Sequence, residues 1–452
     1  MFITPEKMKR DCLQKLFDWN LRTLRKPLVL LGARQVGKTW LMKEFSRQAY
    51  PDDTVSINFM EMGELNAAIA QTNLTVSNLL TLLQTVSGRQ IVPGRTLLLL
   101  DEIQECPRAL TTLKFFHEQL PQLAILVAGS LLGLSMGSTA HPPSGNSFPV
   151  GQIERLNVYP MTFLEFLGAI GQEGLAMALR EGDWSSVGML SREYELSLKN
   201  YLLTGGMPEA VATFADTRTL AAVREKQLAI LADYDDDFKK HAPLDLLPKI
   251  RLLWNNLPSQ LAKENKKFIY AALKPGARAR EYETALQWLD DAGMLRQVYR
   301  VCPPRMPLKA YRDLGAFKLY AHDVGLLGAL SALPPRIVLE GNALFTNFKG
   351  AMAEQFVLGE LVASGFEPGY WTAETGAAEL DFVVQGEADI TPIEVKSATN
   401  TKAKSLSVYR KAYRPMLSVK SSLKPYQRKN GVVSLPLYAL GARLRAELEL
   451  QR

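Results

Sequence analysis

The stretch that most constrains this chain runs from Leu28 to Phe45 and reads LVLLGARQVGKTWLMKEF. Leu28 to Leu31 form an apolar run that predicts a buried strand. Gly32, Gly37, Lys38 and Thr39 then fit the G-x-x-x-x-G-K-[ST] phosphate-binding pattern, and a segment with helical character follows. Glycines let the backbone turn without a Cβ in the way, and a helix N-terminus offers free N–H groups to an anion. The predicted cofactor-binding set in the loop is Gly32, Gln35, Val36, Gly37, Lys38, Thr39 and Trp40. Lys38 is expected to reach the β- and γ-phosphates of ATP, and Thr39 to hold Mg²⁺.

A second stretch supplies the partner this loop needs. Leu97 to Leu100 are four leucines followed by Asp101 and Glu102. A carboxylate at the end of a buried strand is costly unless it is paired or metal-bound, and Mg²⁺ beside Asp101 meets that requirement. Glu102 is placed to polarise the attacking water, so it is the predicted catalytic base. Ser130, at the end of the strand predicted over Ala124 to Ala128, is a candidate γ-phosphate contact. Arg34, Arg108 and Arg155 are the candidates for an arginine that stabilises the transferred phosphoryl group.

The strands expected at 28–31, 54–60, 96–100, 124–128 and 152–159 alternate with helical patterns and are mostly apolar. That predicts an α/β fold with a parallel sheet covered on both faces. A lead over residues 1–26 reads as a short helix, with Leu13, Leu16, Phe17 and Leu21 at helical spacing. Residues 131–150 are rich in Gly, Ser and Pro and read as a loop. From MTFLEFL to about His241 the pattern is helical, broken at Gly205-Gly206-Met207-Pro208, and the acidic run Asp233 to Asp237 reads as a solvated helix face. Helices followed by short strands near 294–299 and 309–320 suggest a winged helix. Glu281, Glu283, Asp290 and Asp291 make its second helix acidic, which opposes phosphate contact.

A length of 452 residues requires several domains. The divisions expected are 1–165 for the P-loop core, 166–242 for a helical segment, 243–335 for the winged-helix-like module and 336–452 for a last α/β domain. Cys12, Cys106 and Cys302 show neither metal spacing nor a disulfide framework, which points to a reducing compartment. The first residues lack the apolar core of a signal peptide, and no run is long enough to span a membrane, so a cytoplasmic protein without a membrane partner is expected.

Charge is uneven. Residues 396–452 hold 13 Lys and Arg against 2 acids, on a chain whose total is +7. A basic end on a mildly acidic body suggests DNA or RNA as partner, or else a solvated basic surface. The same region carries Glu379, Asp381, Glu394 and Lys396. Period-2 geometry puts Glu394 and Lys396 on one strand face, and Asp381 on a neighbouring strand can join them. Glu354 on a preceding helix can add a third carboxylate. Two or three carboxylates can hold Mg²⁺, and Lys396 can position the activated water, which is the logic of a metal-dependent phosphodiesterase. Lys402 and Lys404 add positive charge nearby.

Taken together, GARQVGKT at 32–39, LLLLDEIQ at 97–104, FPVGQIERLNVYPMTFLEFL at 148–167, LTGGMPEAV at 203–211, FKLYAHDVGLL at 317–327, FKGAMAEQFVLGEL at 348–361, AELDFVVQG at 378–386 and IEVKSA at 393–398 resemble the prokaryotic AAA-type ATPases akin to the archaeal ATPase group. The resemblance implies an AAA-type core, helical and winged-helix-like modules and a restriction-endonuclease-like domain of the PD-(D/E)XK type. It places nucleotide binding on Gly37, Lys38, Thr39, Asp101 and Glu102, and the nuclease-like positions on Glu354, Asp381, Glu394 and Lys396. Gln152 departs from the basic residue that many relatives have after the glycine. Two functions follow as expectations, each open to a homo-oligomer: a Mg²⁺-dependent ATPase controlling a nucleic-acid-processing domain, or a nucleotide-gated switch or scaffold protein whose last domain is inactive and binds a protein or DNA. A small-molecule kinase is disfavoured, because the acidic pair favours water as acceptor.

Overall fold

Short apolar strands separated by helices leave the first part of the chain one economical arrangement, a parallel sheet with helices on both faces. The computed structural model describes residues 8–71, 75–129, 151–263, 266–340, 346–374, 376, 378–396 and 404–450. Ser130, the 131–150 stretch and Lys402 lie outside the described residues. The chain divides into two units, one of residues 9–159 with 291–294, the other comprising the remainder.

In the first unit the strands are β1 (Leu28–Leu31), β2 (Thr54–Asn58), β3 (Leu97–Asp101), β4 (Ala124–Ala128) and β5 (Glu154–Asn157). They lie in the order β2-β3-β4-β1-β5, and every pairing is parallel. The helices are α1 (Cys12–Asn20), α2 (Lys38–Ala49), α3 (Gly63–Gln71), α4 (Val76–Ser87) and α5 (Pro107–Gln119). Val29, Ile57, Leu98, Leu100, Ile125 and Val127 of the strands share one core with Leu113 and Phe116 of α5. Helix α1 packs on α2 through Phe17 edge-on to Phe45, with centroids 5.3 Å apart. Leu16 is buried as expected, but Leu21 is 82% exposed, because α1 ends at Asn20 and Leu21 caps it; Trp19 is buried in its stead.

The second unit opens with helix Phe163–Ala169, which carries a full capping box. Thr162 accepts from Glu165 N at 3.3 Å, and Glu165 accepts from Thr162 N at 2.9 Å. The break at Gly205-Gly206 lies between helices Ser191–Thr204 and Pro208–Thr217. It is pinned by Asp323, whose carboxylate accepts from Gly206 N at 2.7 Å and from Leu326 N at 2.8 Å. The acidic run at 233–237 is only partly a solvated face. Asp235 pairs with Arg251, whereas Asp237 is buried on the stripe of Tyr234 and Phe238, one turn apart on helix Leu220–His241.

The remaining strands are β6 (Leu295–Val301), β7 (Arg312–Ala321), β8 (Gly369–Thr372), β9 (Glu379–Gln385), β10 (Ile390–Val395), β11 (Ser418–Ser422), β12 (Gln427–Lys429) and β13 (Val432–Pro436). They form one eight-stranded mixed sheet, in the order β12-β13-β11-β10-β9-β8-β6-β7. The hairpin β6–β7 therefore lies at the end of the sheet of the last domain, and the pairing of Arg300 with Tyr370 crosses the boundary expected at 335/336. The join is tight: Arg300 pairs with Tyr370, and a Cβ on Gly369 would come within 2.5 Å of Val301 Cγ2. Only glycine lets β8 lie so close to β6. Helix Thr346–Ala363 lies against β10. No helix among the described residues is long and apolar enough to cross a membrane.

Leu98 is fully buried in β3, between β2 and β4. Leu98→Ala is expected to cost about 2–5 kcal/mol in chemical denaturation, the usual range for a truncated core leucine. A loss below about 0.5 kcal/mol, typical of surface positions, would contradict this packing.

Candidate functional site

In the first unit, strand β1 delivers the chain to the loop, and α2 begins immediately after it. Gly32 sits at φ +147°, and a Cβ there would meet the Val158 carbonyl oxygen at 2.2 Å. Gly37 caps α2 in the left-handed region, so the first N–H groups of the helix face the loop. Val36 is buried; Gln35 and Trp40 are partly buried on the same turn. Arg10 is buried and donates to Val36 O at 2.9 Å and to Tyr159 O at 2.7 Å. It braces the loop backbone from behind, and no sequence pattern marks it.

Lys38 is 6% exposed and donates to the carbonyls of Gly32 at 2.9 Å and Ala33 at 2.8 Å. Burial lowers its pKa to about 8, although Glu102 and Asp101 pull the other way. Carbonyl dipoles do not compensate a full charge, so an anion at the loop would be strongly favoured by this ammonium. Thr39 Oγ1 donates to Asp101 Oδ2 at 2.8 Å. Burial also raises the pKa of Asp101, against the help of Thr39. A hydroxyl and a carboxylate in contact are hard oxygen donors of the type Mg²⁺ takes alongside nucleotide phosphates, so the residues fit both groups. Glu102 stands at φ +51°, ψ +42°, a left-handed conformation that is uncommon outside glycine. Its N–H donates to Asp101 Oδ1 at 3.0 Å, and Gln104 donates to its carboxylate. The structure thus brings Lys38, Thr39, Asp101 and Glu102 together.

Of the three candidate arginines, Arg34 bears electrostatically on Lys38, Arg108 donates to Ala70 O, and Arg155 is exposed on the edge strand β5. Gln152 precedes β5.

In the second unit the nuclease-like positions also converge, with additions. Asp381 on β9 accepts from Val395 N of β10 at 2.7 Å. Lys396 pairs with Glu394 at 2.9 Å, and Leu406 N donates to the other Glu394 oxygen at 3.3 Å. Glu354 is paired with Lys266, accepts from Tyr320 OH at 3.1 Å and has Lys318 Nζ at 4.0 Å. Lys318 itself contacts Glu379 at 2.6 Å. Burial raises Asp381 to about 7, reinforced by the neighbouring Glu354. Burial works to raise Glu354 too, but Lys318 and Lys266 outweigh it and hold its pKa below the ordinary value. Burial likewise opposes the charge on Lys396, and Asp381 and Glu394 more than offset it.

The carboxylates of this cluster differ from Asp101 in having lysines as direct partners. Each carboxylate named as a ligand already meets a lysine or a backbone N–H, and among the described residues no group of three or more His, Cys, Asp or Glu side chains is arranged to hold a metal ion. Lys266, Lys318 and Tyr320 were missed because they come from the region read as winged-helix-like. The available signal was Lys318, a lone lysine inside the apolar strand FKLYA and two residues from Tyr320, on the same strand face.

Residues 24–167 match the family model of the AAA domain. Residues 195–336 and 349–440 match two domains of unknown function, DUF8612 and DUF4143. No curated protein matches the chain. Similar solved structures include the Walker-type ATPase PABY2304 of Pyrococcus abyssi, at 14% identity over 73% of this chain and 99% of that one, with a TM-score of 0.44. The Aeropyrum pernix ORC1 protein in complex with DNA gives 15% identity over 74% and 96%, with a TM-score of 0.27. Drosophila ORC bound to DNA gives 12% over 74% and 89%, with a TM-score of 0.29.

If an anion at the loop draws on the Lys38 charge, its affinity must depend on pH. Binding raises the Lys38 pKa, so affinity is full below about 8 and falls above it, approaching about tenfold per pH unit. A fluorescent ATP analogue titrated from about pH 7 to 9.5 reads this directly. Lys38→Arg stays charged throughout, so its profile is expected to be flat. A flat wild-type profile would contradict the assignment.

Proposed function

We propose that this protein binds ATP·Mg²⁺ at the loop 32–40 and hydrolyses it to switch the binding state of its C-terminal domain. The observation that carries the reading is the buried Lys38 ammonium held beside the Thr39–Asp101 pair at the carboxyl edge of a parallel sheet. The match of residues 24–167 to the AAA domain supports it.

In this reading the α2 N-terminus and Lys38 hold the phosphates. Thr39 and Asp101 would hold Mg²⁺, which when bound neutralises charge on the phosphate oxygens. Glu102 accepts the proton of the attacking water. Its backbone bond to Asp101 and the hydrogen bond from Gln104 fix the carboxylate in place, so it needs no reorganisation at the moment of reaction.

Two roles for the C-terminal domain stand open in the sequence, cleavage of nucleic acid and recognition of a partner. The lysine-paired carboxylates around Glu354 and Glu394 favour recognition. Lys404, Arg410, Lys411 and Lys420 supply positive charge for a nucleic-acid partner. Such binding is expected to weaken steeply with salt, because each phosphate contact releases counterions.

Glu102→Gln is expected to lower kcat for phosphate release by about 10²–10⁴, the usual contribution of a general base. Affinity for ATP is expected to stay close to wild type in that variant. Phosphate release at the wild-type rate would remove Glu102 from the mechanism. Release retained in Lys38→Ala would remove the whole site.

A further inference from the structure

Lys318 is 1% exposed, and its neighbours are Glu379 at 2.6 Å, Glu354 at 4.0 Å and the face of Tyr370 at 4.9 Å. A lysine is rarely buried this deeply without paired carboxylates. The carboxylates are committed in return. Glu354 meets Lys266 on one oxygen and Tyr320 with Lys318 on the other. Both Glu394 oxygens are occupied by Lys396 and Leu406 N, and Asp381 Oδ2 by Val395 N. A divalent cation bound between these carboxylates would sit against the Lys318 charge already in place.

We infer that the Lys318 ammonium is the resident cation of this cluster, occupying the role that a nuclease of similar architecture would give to a divalent metal. It follows that this cluster takes no divalent metal while Lys318 is in place. The inference rests on the reading of Glu354, Asp381 and Glu394 as nuclease-like positions, and it is independent of ATP hydrolysis by the other unit. It also explains why β7 joins this sheet. The strand delivers Lys318 and, on the same face, Tyr320 to the helix that carries Glu354.

The test is Mn²⁺ binding by the full chain, read by electron paramagnetic resonance without nucleotide. Asp101→Asn is present throughout, so that the P-loop contributes no signal. The expected result is no bound Mn²⁺ at millimolar metal. Adding Lys318→Gln is expected to create one Mn²⁺ site, and adding Asp381→Asn to that variant is expected to abolish it. Mn²⁺ bound by the chain with Lys318 intact, and lost on Asp381→Asn, would overturn the inference and restore the metal site. A folded Lys318→Gln chain that gains no Mn²⁺ would overturn the assignment of Lys318 as the cation in the metal's role. If Lys318→Gln does not fold, the titration with Lys318 intact still decides whether the cluster takes a divalent metal, and Lys318→Met takes the place of Lys318→Gln. In the chain with Asp101 intact, Mn²⁺ binding that appears only with ATP reports the P-loop site, so failure there is distinguishable from failure here.

Discussion

The charge on Lys38 is the constraint around which the first unit is arranged. A lysine at 6% exposure, answered only by the carbonyls of Gly32 and Ala33 and by the more distant Asp101 and Glu102, is held at a cost that burial imposes on any cation. The surrounding structure holds it there. Arg10 ties the loop backbone to Tyr159, the Val158 carbonyl fits against a glycine that admits nothing larger, and β3 presents Asp101 opposite Thr39. A phosphate group satisfies this arrangement more completely than carbonyls do. The energy held in the loop is thereby available as binding energy.

The two carboxylate-rich clusters of the chain meet the same electrostatic demand with different partners. Beside the P-loop a cation and two acids stand without a full charge match, and burial pushes the Lys38 and Asp101 pKa values toward their neutral forms. In the C-terminal domain, Lys266, Lys318 and Lys396 are set against Glu354, Glu379, Glu394 and Asp381, and the lysine partners hold Glu354 ionised in spite of its burial. Burial still raises the Asp381 pKa, to about 7. The difference lies in the partners: Glu354, Glu379 and Glu394 each meet a lysine ammonium directly, whereas Lys38 meets only carbonyls.

Much of the first unit is legible in the sequence. Continuous apolar runs such as LLLLD have only one economical home, a strand buried on both faces. The glycine loop between such a strand and a helix marks the phosphate site. What was not legible arose from long-range pairing. The β6–β7 hairpin reads as a wing because its own residues carry no sign that Arg300 will pair with Tyr370, 70 residues away. Lys318 and Lys266 are ordinary charges until β7 is laid beside Glu354. Arg10 bonds to the backbone carbonyls of Val36 and Tyr159, which no side-chain pattern foretells. Leu21 fits a helical stripe, but the helix stops one residue before it. Glu394 and Lys396 were legible as a pair, since strand period alone puts them on one face. Their committed hydrogen bonds were not.

Hydrogen exchange measured by mass spectrometry on the full chain, with and without ATP·Mg²⁺, tests the central claim most directly. The account predicts slower exchange at the backbone amides of 32–42 and of 101–105, where the loop, the start of α2 and the Asp101–Glu102 turn lie. Exchange at these amides that is indifferent to ATP·Mg²⁺ would contradict the claim that the buried Lys38 charge is there to hold a nucleotide.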